Sequence, residues 1–280
     1  MRDHLKAQAP RSKDRSSTSI FKILSLGLIL FLLLAIIAFF YFKGISNLVR
    51  TDPTTLCPID RPPSEVMVIL LDMSDEFTEP QKLKIQNELT KLQASVSRFG
   101  LIEAYAVDSL NHRVTRPVIH LCNPGTGDDL NRIYQNPELA RLKWKGFMEK
   151  LNAELDRLMN IPQSWTSPIF EAIQATALRT FNRPDMEGVP KRLVIVSDLL
   201  QNVPGKLSHY VSMPSFEEFK QTPYFSEVRC DLKGVSVTLL YLVRPTAPQK
   251  WPDHKDFWEQ YFLSQGAIVQ SLEPVYGGKN

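Results

Sequence analysis

Side chains with oxygen atoms stand at three points of the sequence where a binding or catalytic site could form. Asp72 and Ser74 directly follow one apolar run, and Asp198 directly follows another. Ser167 lies between them, immediately before a helical pattern. Carboxylate and hydroxyl oxygens are the ligands that a hard divalent cation such as Mg²⁺ prefers. These four residues are therefore the candidate ligands of a Mg²⁺ or Mn²⁺ ion.

Three carboxylates, Asp72, Asp75 and Asp198, also allow an enzymatic interpretation, a metal-dependent hydrolase of the cell envelope. The signatures of other enzymes are missing: the sequence has no G-x-S-x-G elbow, no Walker A motif, no glycine-rich dinucleotide turn and no zinc spacing among its five histidines. Ser208 and His209 are adjacent, and adjacent residues do not easily form a nucleophile–base pair. We therefore favour a non-enzymatic module and keep the hydrolase as the alternative.

The elements that must position these residues follow from hydrophobic patterning. Runs that are apolar at nearly every position occur at 66–71, 193–196 and 235–243. Such strands are buried on both faces, in the middle of a parallel sheet that helices cover. A short turn separates predicted strands at 101–107 and 117–121, which makes the second an antiparallel edge strand. The sequence thus predicts an α/β fold with a three-layer, doubly wound, mostly parallel sheet.

The remaining elements are predicted from local signals. Thr78 and Gln81 form a capping box before the first helix of the sheet domain. Ser167 is expected to cap the helix before the fourth strand, with Pro168 at the first helical position. Segment 199–229 is predicted to be irregular. We expect the chain to end with a helix and a strand, at 253–264 and 267–272.

This arrangement resembles the von Willebrand factor A-like fold, whose metal-ion-dependent adhesion site is built from three loops. Asp72 and Ser74 match the first and third positions of the family's Asp-x-Ser-x-Ser motif. Ser167, or its neighbour Thr166, matches the Thr or Ser of the middle loop. Asp198 matches the Asp after the fourth strand. The resemblance covers residues 66–272 and implies that the site lies beyond the carboxyl ends of the strands.

Glu76 departs from this pattern, because it stands where the motif has its last Ser. A longer, charged side chain there implies a degenerate adhesion site. The resemblance implies a protein-interaction module, for adhesion or scaffolding, whose unknown protein partner binds at the carboxyl edge of the sheet. Runs at 122–125 and 167–173 are similar to those of a bacterial group of membrane-anchored proteins of this kind, which brings no biochemical role with it.

A membrane segment precedes the domain. Residues 23–42 form an uncharged apolar run, long enough to cross the hydrocarbon core. A cleaved signal peptide would have a shorter apolar region and a small-residue cleavage site, so we expect an uncleaved transmembrane signal anchor. Residues 1–22 carry six basic and two acidic side chains, which places them in the cytoplasm by the positive-inside rule. The chain is then a single-pass membrane protein whose C-terminal domain faces the periplasm or the cell exterior.

The soluble part is divided into a tether at 43–64, which contains four prolines, and a domain at 65–280. The 280 residues are 43% hydrophobic and 22% charged, as in ordinary globular proteins, which excludes disordered and collagen-like classes. The formal charge of +3 comes from the basic N-terminal segment. A near-neutral domain argues against binding to nucleic acid.

Three cysteines lie in the part expected to face an oxidising space, where disulfides persist. The strand order expected for this fold is 3-2-1-4-5-6. Cys122 closes the antiparallel third strand and therefore lies at the same edge of the sheet as the start of the first strand, which Cys57 shortly precedes. Cys230 lies four strands from Cys122, about 19 Å at roughly 4.8 Å per strand, too far for a disulfide. We therefore predict a Cys57–Cys122 bridge with Cys230 free and buried. Three reduced thiols, or a Cys57–Cys230 bridge, are the alternatives.

Overall fold

A computed structural model describes most of the chain: residues 15–46, 49–107, 117–128, 136–160, 165–244, 249 and 253–278. The chain divides into two compact units, Met1–Leu48 and Val49–Asn280. In the first unit lies one long helix, α1 (Arg15–Ser46). Its stretch Lys22–Phe42 has a mean hydropathy of 3.1 and is exposed throughout. By length and composition this helix is able to cross a membrane, as a signal anchor or a signal peptide.

The second unit is built on a sheet that has six strands within the described residues. They are β1 (Val66–Asp72), β2 (Leu101–Val107), β3 (Ile119–Cys122), β4 (Lys191–Ser197), β5 (Val235–Leu242) and β6 (Ile268–Val275). The order is β3-β2-β1-β4-β5-β6, and every neighbouring pair is parallel except β2 and β3. This confirms the predicted mostly parallel sheet with its antiparallel edge strand. The turn predicted between these two strands falls outside the described residues.

Helices cover both faces of the sheet, as the apolar runs predict. One hydrophobic cluster joins the sheet to α2 (Glu79–Ala94) and α3 (Pro137–Leu158), and the other joins it to α4 (Ile169–Thr176), α5 (Phe216–Lys220), α6 (Pro223–Val228) and α7 (Asp253–Ser264). Alternate residues of β1 belong to the two clusters, and all of its residues are buried. The predicted capping box of Thr78 and Gln81 is present at α2.

Two short helices lie in the segment predicted to be irregular. Both α5 and α6 have a hydroxyl cap, from Ser215 and Thr222 respectively. They were missed because five or six residues are too few to show a helical period. Phe219 of α5 stacks on Phe170 of α4 with ring centroids 4.9 Å apart, so these helices close the core over α4. The edge strand begins two residues later than predicted, and β6 runs on to Val275.

The prediction that Ser167 caps α4 was wrong. The helix begins at Ile169, with Pro168 at the N-cap position and no side-chain cap bond. Instead, Oε1 of Gln201, from the loop after β4, accepts hydrogen bonds from the backbone N–H groups of Ile169 and Phe170. A long-range acceptor thus replaces the local cap, and the Ser167 hydroxyl contributes to another contact.

Residues 49–64, predicted as part of a tether, are folded into the second unit. Asp52 closes a turn by accepting from the backbone N–H of Thr55 at 2.8 Å, and the Thr55 carbonyl accepts from the N–H of Cys122 at 2.8 Å. The predicted Cys57–Cys122 disulfide is present, with Cα atoms 4.7 Å apart. Cys230 is free, as predicted, but half-buried rather than buried. Burial raises the pKa of its thiol to about 11, so the thiol is protonated and unreactive at neutral pH.

Candidate functional site

Asp72, the last residue of β1, is buried and accepts three hydrogen bonds. The hydroxyl groups of Ser167 and Ser197 donate to its Oδ2 at 2.8 and 2.7 Å. The backbone N–H of Ser74 donates to its Oδ1 at 3.0 Å. Hydrogen bonds to a carboxylate are stronger than those between neutral groups. Asp72 therefore ties together the end of β1, the end of β4 and the loop before α4.

Asp198 directly follows β4 and is 1% exposed. Its Oδ1 accepts from the backbone N–H of Leu200 at 2.9 Å, whereas no donor bonds to its Oδ2 among the described residues. Burial, and after it the negative charge of Asp72, raises the pKa of Asp198 well above its ordinary value; the positive charge of Arg244 opposes this rise. Burial and the neighbouring carboxylate thus disfavour the ionised form of Asp198.

Arg244 supplies positive charge to the same place from beyond the carboxyl end of β5. Its Nε lies 3.5 Å from Oδ2 of Asp198 and 4.0 Å from Oδ2 of Asp75. Its Nη1 donates to the backbone carbonyl of Glu76 at 2.7 Å. Only 14% of the Arg244 side chain is exposed, so solvent screens these interactions weakly.

Gln249 fixes the backbone around this charge pair. Its Oε1 accepts from the N–H of Arg244 at 2.9 Å. Its Nε2 donates to the carbonyl groups of Asp198, at 2.9 Å, and Leu242, at 3.0 Å. The ends of β4 and β5 are therefore held by a single side chain, and with them the positions of Asp198 and Arg244.

The loop before α4 and the loop after β4 are paired through their backbones. Ser167 and Asn202 exchange N–H to carbonyl hydrogen bonds of 2.9 and 3.0 Å, and Asn202 also pairs with Ser208. Nδ2 of Asn202 donates to the carbonyl of Trp165 at 2.9 Å. These bonds join residues 165–168 and 199–211 into one surface at the carboxyl edge of the sheet.

Leu199 adopts a left-handed backbone conformation, with a φ of 59°, immediately after Asp198. For a residue other than glycine this costs about 1–2 kcal/mol. Its carbonyl accepts from Nε1 of Trp258 at 2.9 Å and lies 3.1 Å from Nε2 of His254. Two side chains of α7 thus stabilise the strained turn that carries Asp198 into the site.

Large side chains on these two loops remain exposed. Trp165 is 95% exposed, Val211 is 86% exposed and Tyr210 is 46% exposed. The Tyr210 hydroxyl donates to Oδ2 of Asp75 at 3.4 Å. Burial, followed by the charges of the nearby carboxylates, raises the pKa of Tyr210. The surface therefore combines exposed apolar side chains with the half-exposed carboxyl group of Asp75.

The four predicted metal ligands all lie at this edge, but their contacts differ from a cation site. Within the described chain, no group of three or more His, Cys, Asp or Glu side chains is arranged to hold a metal ion. The oxygens of Asp72 accept from three donors, and Ser74 contributes its backbone N–H. Arg244 already supplies positive charge beside Asp198. As arranged, these residues do not fit a divalent ion, and the predicted Mg²⁺ or Mn²⁺ stays a prediction.

The sequence did not predict the roles of several residues of the site. Glu76, expected to disturb the site with its carboxylate, has an exposed side chain and contributes its backbone carbonyl instead. Arg244 follows a parallel strand, so the rule that pointed to Asp72 and Asp198 applies to it as well. Tyr210 and Gln249 gave no signal, because they reach the site through loops whose paths no local pattern predicts.

No model of a protein family matches the chain, and no curated protein matches it. Among solved structures, the chain is similar to the crystal structure of an aerotolerance-related membrane protein from Bacteroides fragilis NCTC 9343 with multiple mutations to serines. The two proteins are 12% identical, and the similarity covers 75% of this chain and 90% of that chain, with a TM-score of 0.34. A likeness at this level supports no argument about function.

Proposed function

We propose that this protein is a membrane-anchored docking module of the von Willebrand factor A-like type, with a degenerate metal-ion-dependent adhesion site. One observation carries the proposal: Trp165 and Val211 have exposed side chains on two loops that hydrogen bonds hold together beside Asp72 at the carboxyl edge. Exposed apolar area rimmed by polar groups is typical of interaction sites. Trp and Tyr are enriched among the residues that dominate binding energy.

The contacts of the carboxylates favour docking over hydrolysis. Both oxygens of Asp72 are already engaged with donors, and Asp198 is 1% exposed. A catalytic base or nucleophile must come within hydrogen-bond reach of a substrate. Of the three carboxylates in the hydrolase alternative, only Asp75 is substantially exposed. We therefore propose no enzymatic activity.

The anchor and the disulfide favour a location outside the cytoplasm. The apolar stretch Lys22–Phe42 suits a single membrane crossing, and the basic residues before it suit a cytoplasmic N-terminus. The Cys57–Cys122 disulfide suits an oxidising compartment. These features support our proposal that the domain faces the periplasm or the cell exterior and that its partner is a protein and not a nucleic acid.

Photocrosslinking in the cells that produce the protein tests this proposal. A photoreactive residue in place of Trp165 or Val211 of the full chain should give a discrete ultraviolet-dependent adduct. Leu263 is a matched control, since it is 74% exposed and lies near the amino end of β6. No adduct is expected there. Adducts of equal yield at all three positions, or none at Trp165 and Val211, would contradict the proposal.

A second variant tests whether the exposed side chain of Trp165 dominates binding at this apolar rim, which Trp165 and Val211 form. With the photoreactive residue at Val211, Trp165→Ser should reduce the adduct yield about tenfold or more, because truncating an aromatic residue that dominates binding costs about 2 kcal/mol or more and about 1.4 kcal/mol is tenfold in affinity. Leu263→Ser provides the control for a large exposed side chain elsewhere and should leave the yield unchanged. An unchanged yield with Trp165→Ser would contradict a role for this rim.

A further inference from the structure

The positive charge beside the buried carboxylates belongs to the chain itself. Asp198 offers Oδ2, a buried oxygen to which no donor bonds among the described residues, and Nε of Arg244 lies 3.5 Å from it. The same guanidinium reaches Asp75 and the Glu76 carbonyl. Its backbone is fixed by Gln249, which also binds the Asp198 carbonyl. These contacts hold both the backbone and the guanidinium group of Arg244 in the site.

An arginine is well suited to this position and is incompatible with a second cation there. A guanidinium cannot be deprotonated in a protein, and it is hydrated more weakly than an ammonium group, so it tolerates burial. A Mg²⁺ or Mn²⁺ ion bound by Asp198 would need the oxygen that faces Nε. It would also meet a like charge a few ångströms away at low solvent exposure, where repulsion is strong.

We propose that Arg244 is the resident cation of this site, that it excludes Mg²⁺ and Mn²⁺, and that docking at the carboxyl edge requires no metal ion. The statement about docking rests on the proposed function, whereas the statement about the cation does not. The two are therefore measured separately.

Thermal unfolding of the full chain in detergent tests the cation assignment. The Tm of the wild type should not change when MgCl₂ or MnCl₂ is added to millimolar concentration. Arg244→Gln removes the charge and leaves the carboxylates, so its Tm should rise with metal, by about 5 °C at roughly ten times the dissociation constant. Arg244→Lys keeps a cation and should not respond. Asp198→Asn combined with Arg244→Gln should abolish the rise.

Three outcomes overturn the assignment. They are a saturable, metal-dependent rise in the wild type, no rise in Arg244→Gln, or a rise that survives Asp198→Asn. If Arg244→Gln does not fold, the wild type is tested by electron paramagnetic resonance of Mn²⁺, whose signal from the free ion decreases when the ion binds. An equimolar amount of wild-type protein should cause no loss of this signal. A stoichiometric loss that Asp198→Asn prevents would overturn the proposal.

The docking statement is measured by the crosslink at Val211 in the presence of a chelator. An unchanged adduct yield supports metal-independent docking, and loss of the adduct that added Mg²⁺ restores overturns it. If no adduct forms under any condition, the proposed docking function has failed. In that case the cation assignment is still decided by the Tm measurements.

Discussion

At the scale of single residues, two buried histidines distinguish this core. His209 and His254 pack with ring centroids 5.4 Å apart, and His209 also packs edge-to-face against Phe257 and Trp258. Burial, followed by the charge of His254, lowers the pKa of His209 to about 3. Burial also lowers the pKa of His254 to about 4, and its Nδ1 lies 2.8 Å from the Tyr241 hydroxyl. Both rings are therefore neutral in the folded protein.

These lowered pKa values predict that mild acid destabilises the fold. The unfolded chain binds a proton on His209 near pH 6.5, whereas the folded chain does so only near pH 3. The contribution of this group is fully present above pH 6.5 and decreases as the pH falls below it. From pH 7 to pH 5 the free energy of unfolding should fall by roughly 2 kcal/mol through His209 alone. His209→Gln should remove that part, as urea unfolding at both pH values would measure.

The interval from pH 8 to pH 9 serves as an internal control, because histidines are almost entirely neutral there in both states. Wild type and His209→Gln should show the same change in unfolding free energy across it. An equal loss between pH 7 and pH 5 in both proteins would contradict the prediction and would mean that His209 accepts a proton in the folded state.

At the scale of elements, the disulfide joins a segment before β1 to the edge strand β3. The bridged residues are separated by 65 positions, and closing such a loop in the unfolded chain is worth about 4 kcal/mol in the chain-entropy model. The double variant Cys57→Ser, Cys122→Ser should lower the unfolding free energy by about that amount. Urea unfolding of the full chain in detergent measures it.

Cys230→Ser is the matched control for the loss of a thiol. Cys230 is half-buried and in no disulfide, so its replacement should change the unfolding free energy by less than about 1 kcal/mol. Adding a thiol reductant should lower the unfolding free energy of the wild type by the same amount as the double substitution does. It should leave the unfolding free energy of the double variant unchanged. Equal urea midpoints for wild type and double variant would refute the prediction.

The elements that the sequence predicted are those with strong local or sheet-wide constraints. Strands β1, β4 and β5 are apolar at almost every position because helices cover both faces of the sheet. The α2 capping box uses atoms within four residues. The Cys57–Cys122 pairing followed from strand order, since distance across the sheet excluded Cys230.

The failures have a common physical reason, namely that long-range partners replaced local ones. Gln201 caps α4 from 32 and 31 residues away, so the expected role of Ser167 at the helix was wrong although its place in the site was correct. His209 and His254 are far apart in sequence and meet only through packing on α7. Arg244 was not predicted, because the oxygen donors that characterise a metal site do not indicate that a cation from the chain takes the place of the ion.

At the scale of the whole molecule, charge is distributed unevenly along the chain. Residues 1–22 carry six basic side chains and two acidic ones, although the formal charge of all 280 residues is only +3. Everything after the apolar stretch is therefore near neutral. Basic residues flanking an apolar helix resist translocation, so this asymmetry predicts which end of the helix faces the cytoplasm.

We expect the N-terminus to lie in the cytoplasm and the C-terminus outside it. A reporter that is active only outside the cytoplasm, fused after residue 280, should be active, and a reporter active only inside should be silent. Replacing Arg11, Lys13 and Arg15 with Gln leaves three basic residues against two acidic ones, and this weaker bias should give a mixed orientation. An active cytoplasmic reporter on the wild type would refute the topology. A mature protein shortened by its first 40 or so residues would identify the helix as a cleaved signal peptide rather than an anchor.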